Sequence, residues 1–389
     1  MDDMFKEKRI YMVLFLLAFV MIVQTGLVSA DHGLLLEGIS KYYSGLYEDA
    51  IINFNDYLAE DSHNQADALY YQTLAYLKLN NVGAAKNNMN SLEEIGYKFG
   101  LLHWELGQVY LNKDGYFDSP FYNEAKRELI KARELGIDTA GFHKDLAVTH
   151  QGLGNVEDAI NEYEASLAKS GKTDDYINLA SLYRDSGQLE EALTAYEKAL
   201  EDKRDDVSIY LNMGDIYLGL EDYQSAIDIL SKGVEISPSF VAIRTKLAVS
   251  LYSNGDIDKA RDEFELIVEQ NRNIYQAYYY LAEIYKKEGE IERAIAYYND
   301  AIKYNGSYVR AYLALGDIYL EDDSPYKAMA QYIKALEHNP EHAPAHFSLA
   351  LAYKNLDMKE AAINELRRTI HLDSSHIQAK RMLAEMLKE

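Results

Sequence analysis

Gln276-Ala277-Tyr278-Tyr279-Tyr280-Leu281-Ala282-Glu283-Ile284-Tyr285, a turn at Glu288-Gly289-Glu290, then Ile291-Glu292-Arg293-Ala294-Ile295 decides the fold of this chain. Apolar residues recur at helical spacing in both blocks, and a glycine-type turn divides them, so the stretch reads as two short helices packed back to back. The unit then repeats. Ala192, Ala226, Ala260, Ala294, Ala328 and Ala362 follow one another at steps of 34, and Ala50, Ala85, Ala125 and Ala159 continue the series upstream at steps of 35, 40, 34 and 33. A small residue usually stands twelve places before each alanine, as at Gly38, Ala147, Ala180, Gly214, Ala248, Ala282, Gly316 and Ala350, and a large apolar residue stands four places after it. Small residues let two helix axes approach closely while the large ones fill the space beside them. One such pair cannot bury its apolar faces alone, so a fixed period of this length implies a stack.

The quoted stretch resembles the signature of the tetratricopeptide repeat family. The resemblance runs from about Asp31 to His376 and implies an all-α, right-handed solenoid of about ten helix-turn-helix units, at about 31–65, 66–99, 100–139, 140–172, 173–206, 207–240, 241–274, 275–308, 309–342 and 343–376. Residues 377–389 keep the register and can cap the stack with Met382, Leu383, Met386 and Leu387. The third unit carries about six extra residues around Asn112 to Pro120, and the second has Thr73 at the small position.

Residues 1–30 differ in kind. Lys6, Lys8 and Arg9 precede an uncharged apolar run, Ile10 to Val23, and small residues end at Ala30. This reads as a secretory signal peptide cleaved after Ala30, or as a membrane anchor if residues 10–30 are retained. Both readings put the repeats outside the cytoplasm. The net charge of −24 falls wholly on the rest of the chain, because Asp2, Asp3 and Glu7 balance the three basic residues. An acidic array disfavours nucleic acid as a partner. With no cysteine in the chain, disulfides, thiol chemistry and a lipid-modified cysteine are excluded.

Carrying over the family's groove position, three residues before the small one, yields a column: Leu35, Tyr70, Trp104, Lys144, Ile177, Leu211, Thr245, Tyr279, Leu313 and Phe347. Eight of the ten are apolar or aromatic, which suits an extended or helical peptide. Arg184, Glu283 and Lys286 lie one turn away and are expected to add selectivity. The family's carboxylate-clamping subtype needs lysine and asparagine at set groove positions. Lys144 is the column's single lysine and Val148 replaces the asparagine, so that subtype does not fit.

Other motifs fail on chemistry. His338, His342, His346, His371 and His376 are divided by Pro340 and Pro344, so the first three share no helical face and a metal site is not expected. Gly171-Lys172-Thr173 lacks the earlier glycine and the preceding strand of a phosphate loop. Asn112-Lys113-Asp114-Gly115 lacks the closing glutamate of a calcium loop. No catalytic constellation or cofactor fingerprint stands out, and the array leaves no residues for a catalytic domain. The expectation is a non-enzymatic, exported scaffold that binds a protein or peptide, without a cofactor, in cell-envelope or extracellular assembly. A holding chaperone for exported polypeptides and a targeting subunit of an enzyme complex stay open as alternatives.

Overall fold

A computed structural model of the chain describes residues 30–60, 65–111 and 120–388. Residues 1–29 of the export segment and residues 112–119 of the insertion lie outside them. The described residues form 21 α-helices and no strand. Contacts group them into two units, one ending at Asp202 and one running from Lys203 to Glu389. Each unit holds five helix pairs. The first begins with Ala30–Tyr43 and Tyr47–Ala59 and ends with Thr173–Asp185 and Leu189–Asp202. The second begins with Val207–Gly219 and Tyr223–Ile236, ends its pairs with Ala343–Asn355 and Lys359–Leu372, and adds Ile377–Met386. The alanine period runs through the division without a slip, from Ala192 to Ala226, so periodicity alone carries no trace of it.

Nine of the ten pairs share one turn, the third pair's turn lying outside the described residues. The residue seven places after the small position takes a left-handed backbone: Gly45, Asn80, Gly154, Gly187, Glu221, Gly255, Gly289, Asp323 and Asp357, with φ between 52° and 91°. That conformation closes the first helix, and the following N–H then bonds back five residues, as in Gln188 to Tyr183 (2.8 Å), Glu290 to Tyr285 (2.9 Å) and Ser324 to Tyr319 (2.8 Å). In these nine pairs the second helix therefore folds back onto the first after a turn of three residues or fewer.

The anchor alanines are fully buried in every repeat. Opposite them the small position is held small by contact. A β-carbon on Gly316 would lie 2.3 Å from the Tyr332 ring, one on Gly214 2.3 Å from Leu230, and one on Gly38 2.6 Å from Phe54. These fillers are themselves wholly buried, and each contributes roughly 1.5–3 kcal/mol of burial.

Four repeats add a polar rung between their two helices. His103 pairs with Glu128 (2.7 Å), His143 with Glu162 (2.7 Å), His346 with Glu365 (2.6 Å), and Arg244 with Glu263. The basic partner always stands four residues before the small position and the glutamate three after the anchor alanine. In four other repeats Tyr176, Tyr210, Tyr278 and Tyr312 take the first place, and Ala195, Ile229, Tyr297 and Gln331 the second. A histidine or arginine on one helix is thus matched by a glutamate on the other. The histidine-rich C-terminal region resolves accordingly. His346 is held by Glu365 and by the Pro340 carbonyl, while His342 and His376 accept the N–H groups of Ala345 and Ala379 as helix caps.

Candidate interaction surface

The column named from the repeat register lies along the first helices of the pairs. Its members differ in what they touch. Leu35, Trp104 and Tyr279 are buried, whereas Tyr70, Lys144, Ile177, Leu211, Thr245, Leu313 and Phe347 are half-buried. Trp104 packs edge-on to Phe142 at 6.1 Å and donates its indole N–H to the buried carboxylate of Asp145 at 2.7 Å. Gln108 donates to the same carboxylate oxygen at 2.8 Å. The register turns Trp104 along the column, but its ring and its polar atom are spent on the next repeat. Lys144 is likewise engaged, with Asp175 at 3.0 Å.

Charged groups around the column are pinned by ion pairs, some of them from neighbouring helices. Lys78 meets Glu105 at 2.8 Å and Lys246 meets Asp215 at 2.7 Å, each pair joining adjacent repeats. Arg184 pairs with its neighbour Asp185 at 3.0 Å. Lys286 is half-buried one turn beyond Glu283.

A polar ladder emerges that the column did not include. The hydroxyl of Tyr298 donates to Glu283 at 2.5 Å, that of Tyr332 donates to Asp317 at 2.7 Å, and Tyr196 and Ser181 share a bond of 3.2 Å. In each case the first-helix residue directly follows the small position. Where the filler lacks a hydroxyl that residue is often apolar, as Val249 beside Phe264 and Leu351 beside Leu366. Burial, reinforced by the accepting carboxylates, pushes the Tyr298 and Tyr332 hydroxyls well above the ordinary tyrosine range, so both stay protonated donors. The signal for this ladder was present in the sequence as matched pairs at a separation of 15, Glu283 with Tyr298 and Asp317 with Tyr332.

Aromatic rings connect the first helices of successive repeats. In the first unit Tyr70 meets Phe99 at 4.8 Å and Tyr71 at 5.3 Å. In the second, Tyr279 meets Tyr308 at 5.3 Å and Tyr280 at 5.5 Å. Burial, with Glu105 adding to it, pushes the Tyr70 hydroxyl up to about 12. The arrangement offers apolar and aromatic area flanked by charges of fixed position. That is the chemistry of recognition.

Family profiles agree with this architecture. The TPR repeat matches residues 180–221, and the tetratricopeptide repeat matches residues 217–284, 285–332 and 343–376. No curated protein matches the chain. Among solved structures, the C-terminal part of a TPR repeat-containing protein from Cytophaga hutchinsonii is 18% identical, with 63% of this chain and 99% of that one covered, at a TM-score of 0.53. A tetratricopeptide repeat protein from Parabacteroides merdae is 19% identical over 65% of this chain and 98% of its own, at 0.46. Yeast Tom70 is 14% identical over 92% and 95%, at 0.47.

Proposed function

Because the chain belongs to the tetratricopeptide repeat family, whose repeats serve protein–protein interaction, we propose that it is an exported, non-catalytic scaffold that holds a protein partner on its first-helix column in cell-envelope or extracellular assembly. The observation that supports the working face is the fixed polar ladder. Glu283 and Asp317 are held in place by buried tyrosine hydroxyls beside half-buried Leu313. Groups immobilised before binding lose little entropy on binding, which favours a definite partner over promiscuous capture. Affinity comes from apolar burial along Leu211, Leu313 and Phe347 of the second unit, and selectivity from the pinned charges beside them.

Export rests on the sequence of residues 1–30, where a basic start precedes the uncharged run. Among residues 30–60, 65–111 and 120–388 no helix is long and apolar enough to cross a membrane. Mass measurement of the mature N-terminus decides between cleavage after Ala30 and retention.

Affinity capture with the mature protein tests the scaffold. One stoichiometric partner, lost when Leu313 and Phe347 are changed to Ala, is the expected result. Many unrelated unfolded chains would replace the scaffold with a holding chaperone. A stoichiometric partner unaffected by both changes would move the working surface off the column.

A further inference from the structure

The two units carry the same five-ring constellation at equivalent repeat positions. In the first, Tyr42 meets Tyr71 at 5.9 Å, Phe54 stacks on Tyr71 at 6.5 Å and 19°, and Tyr70 links Tyr71 to Phe99. In the second, Tyr252 meets Tyr280 at 5.2 Å, Phe264 stacks on Tyr280 at 5.1 Å and 4°, and Tyr279 links Tyr280 to Tyr308. The second constellation shows what such rings do. The Arg310 guanidinium lies 4.9 Å from the Tyr279 centroid, and the Lys287 ammonium lies 4.2 Å from that of Tyr252.

The first constellation keeps the rings and replaces the cations. Leu101 stands at the position of Arg310. Lys78 stands at that of Lys287, but its ammonium meets Glu105 at 2.8 Å, and the counterpart of Glu105 in the second unit is Ala314. Among the described residues no lysine or arginine lies over Tyr42, Tyr70, Tyr71 or Phe99. Tyr70 is half-buried, whereas Tyr279 beneath Arg310 is 7% exposed. The platform is also wider. Tyr43 and Tyr97, 45% and 50% exposed, extend it where the second unit has Ser253 and Gly306.

We propose that the platform of Tyr70, Tyr71, Tyr43 and Phe99 seats an arginine side chain of the protein partner. The inference rests on the scaffold reading and gives the partner's chemistry. Ring faces are negative and attract a guanidinium. The net charge of −24 draws a basic segment toward the chain.

Calorimetry on the full chain tests this at physiological salt with a twelve-residue Gly/Ser peptide carrying two arginines, and with the same peptide carrying neutral citrulline. One arginine peptide is expected per chain, favoured over citrulline by about 3- to 30-fold. Leu101→Arg installs the internal cation of the second unit and should weaken the peptide over the same range, as should Tyr70→Leu. Arg310→Leu should open the second seat and raise the stoichiometry from one toward two. Arg310 is exposed, whereas Leu101 is half-buried against the first unit's core, so unchanged ellipticity and thermal unfolding of Leu101→Arg must accompany its weaker binding. Equal affinity for the citrulline peptide, full affinity in Leu101→Arg, or an unchanged stoichiometry in Arg310→Leu would overturn the proposal. If these arms fail while the captured partner is retained, the arginine seat falls and the scaffold stands. If the seat holds while no partner is captured, the reverse follows.

Discussion

Single residues in this array are fixed by contact more than by propensity. Gly316 sits in a helix, where alanine is intrinsically better by about 1 kcal/mol. Its added β-carbon would nevertheless lie 2.3 Å from the Tyr332 ring. Gly316→Ala should therefore cost about 1–3 kcal/mol through overpacking, read as a lower urea midpoint. Gly83, also helical, has only the Asn81 side chain near, at 3.9 Å, and Gly83→Ala should be neutral or stabilise by up to about 1 kcal/mol. Equal effects at both sites would remove close approach as the reason for the small position. Trp104 marks where residue-level reading stopped. The repeat register could place it on the column, but could not show that Asp145, 41 residues on, would capture its N–H. A pairing across repeats has no local marker.

Helix pairs are the elements, and their turns were only half legible. Asp185-Ser186-Gly187 and Glu288-Gly289-Glu290 announce a left-handed residue through glycine, whereas Glu221, Asp323 and Asp357 adopt the same conformation with no such announcement. The packing of the pair forces it on them, at a cost that glycine avoids. Glu221→Gly and Asp357→Gly should each raise stability by about 0.5–1 kcal/mol, and Gly187→Ala should lower it by about 1 kcal/mol, checked by thermal unfolding. The polar rungs were legible only once both helices were aligned, because neither His103 nor Glu128 is unusual alone. Burial alone would raise the Glu128 carboxyl. The bond from His103, with Lys131 adding to it, instead holds it below its ordinary value of 4.5. A lowered folded value means that Glu128 contributes stability above about that pH and loses it as pH falls through the folded value. Glu128→Gln should cost about 1–3 kcal/mol near neutrality, and the gap to wild type should narrow as the solution is acidified below about pH 4. A gap independent of pH would show that the glutamate acts by shape alone.

On the scale of the whole molecule, the sequence declared the class, the repeat number and the register, because each follows from local periodicity. It did not declare the division at Asp202, because an even alanine count says nothing about where contacts thin out. Each unit buries its own clusters, such as Leu106, Leu129 and Phe142 in the first and Tyr332, Leu349 and Ala352 in the second. The fragment Lys203–Glu389 is therefore expected to remain helical and to unfold cooperatively, measured by circular dichroism against denaturant. A fragment that is largely unfolded at low denaturant would show that the second unit depends on the first. The buried indole of Trp104 supplies an optical handle on the same question. As the chain's one tryptophan it places the strongest intrinsic fluorophore wholly inside the first unit, while the 34 tyrosines are spread along the chain. Its emission shift follows the melting of that unit alone, and ellipticity sums over both. Superposable curves from the two signals mean a single cooperative transition, and divergent curves assign the order in which the units come apart without any label having been attached.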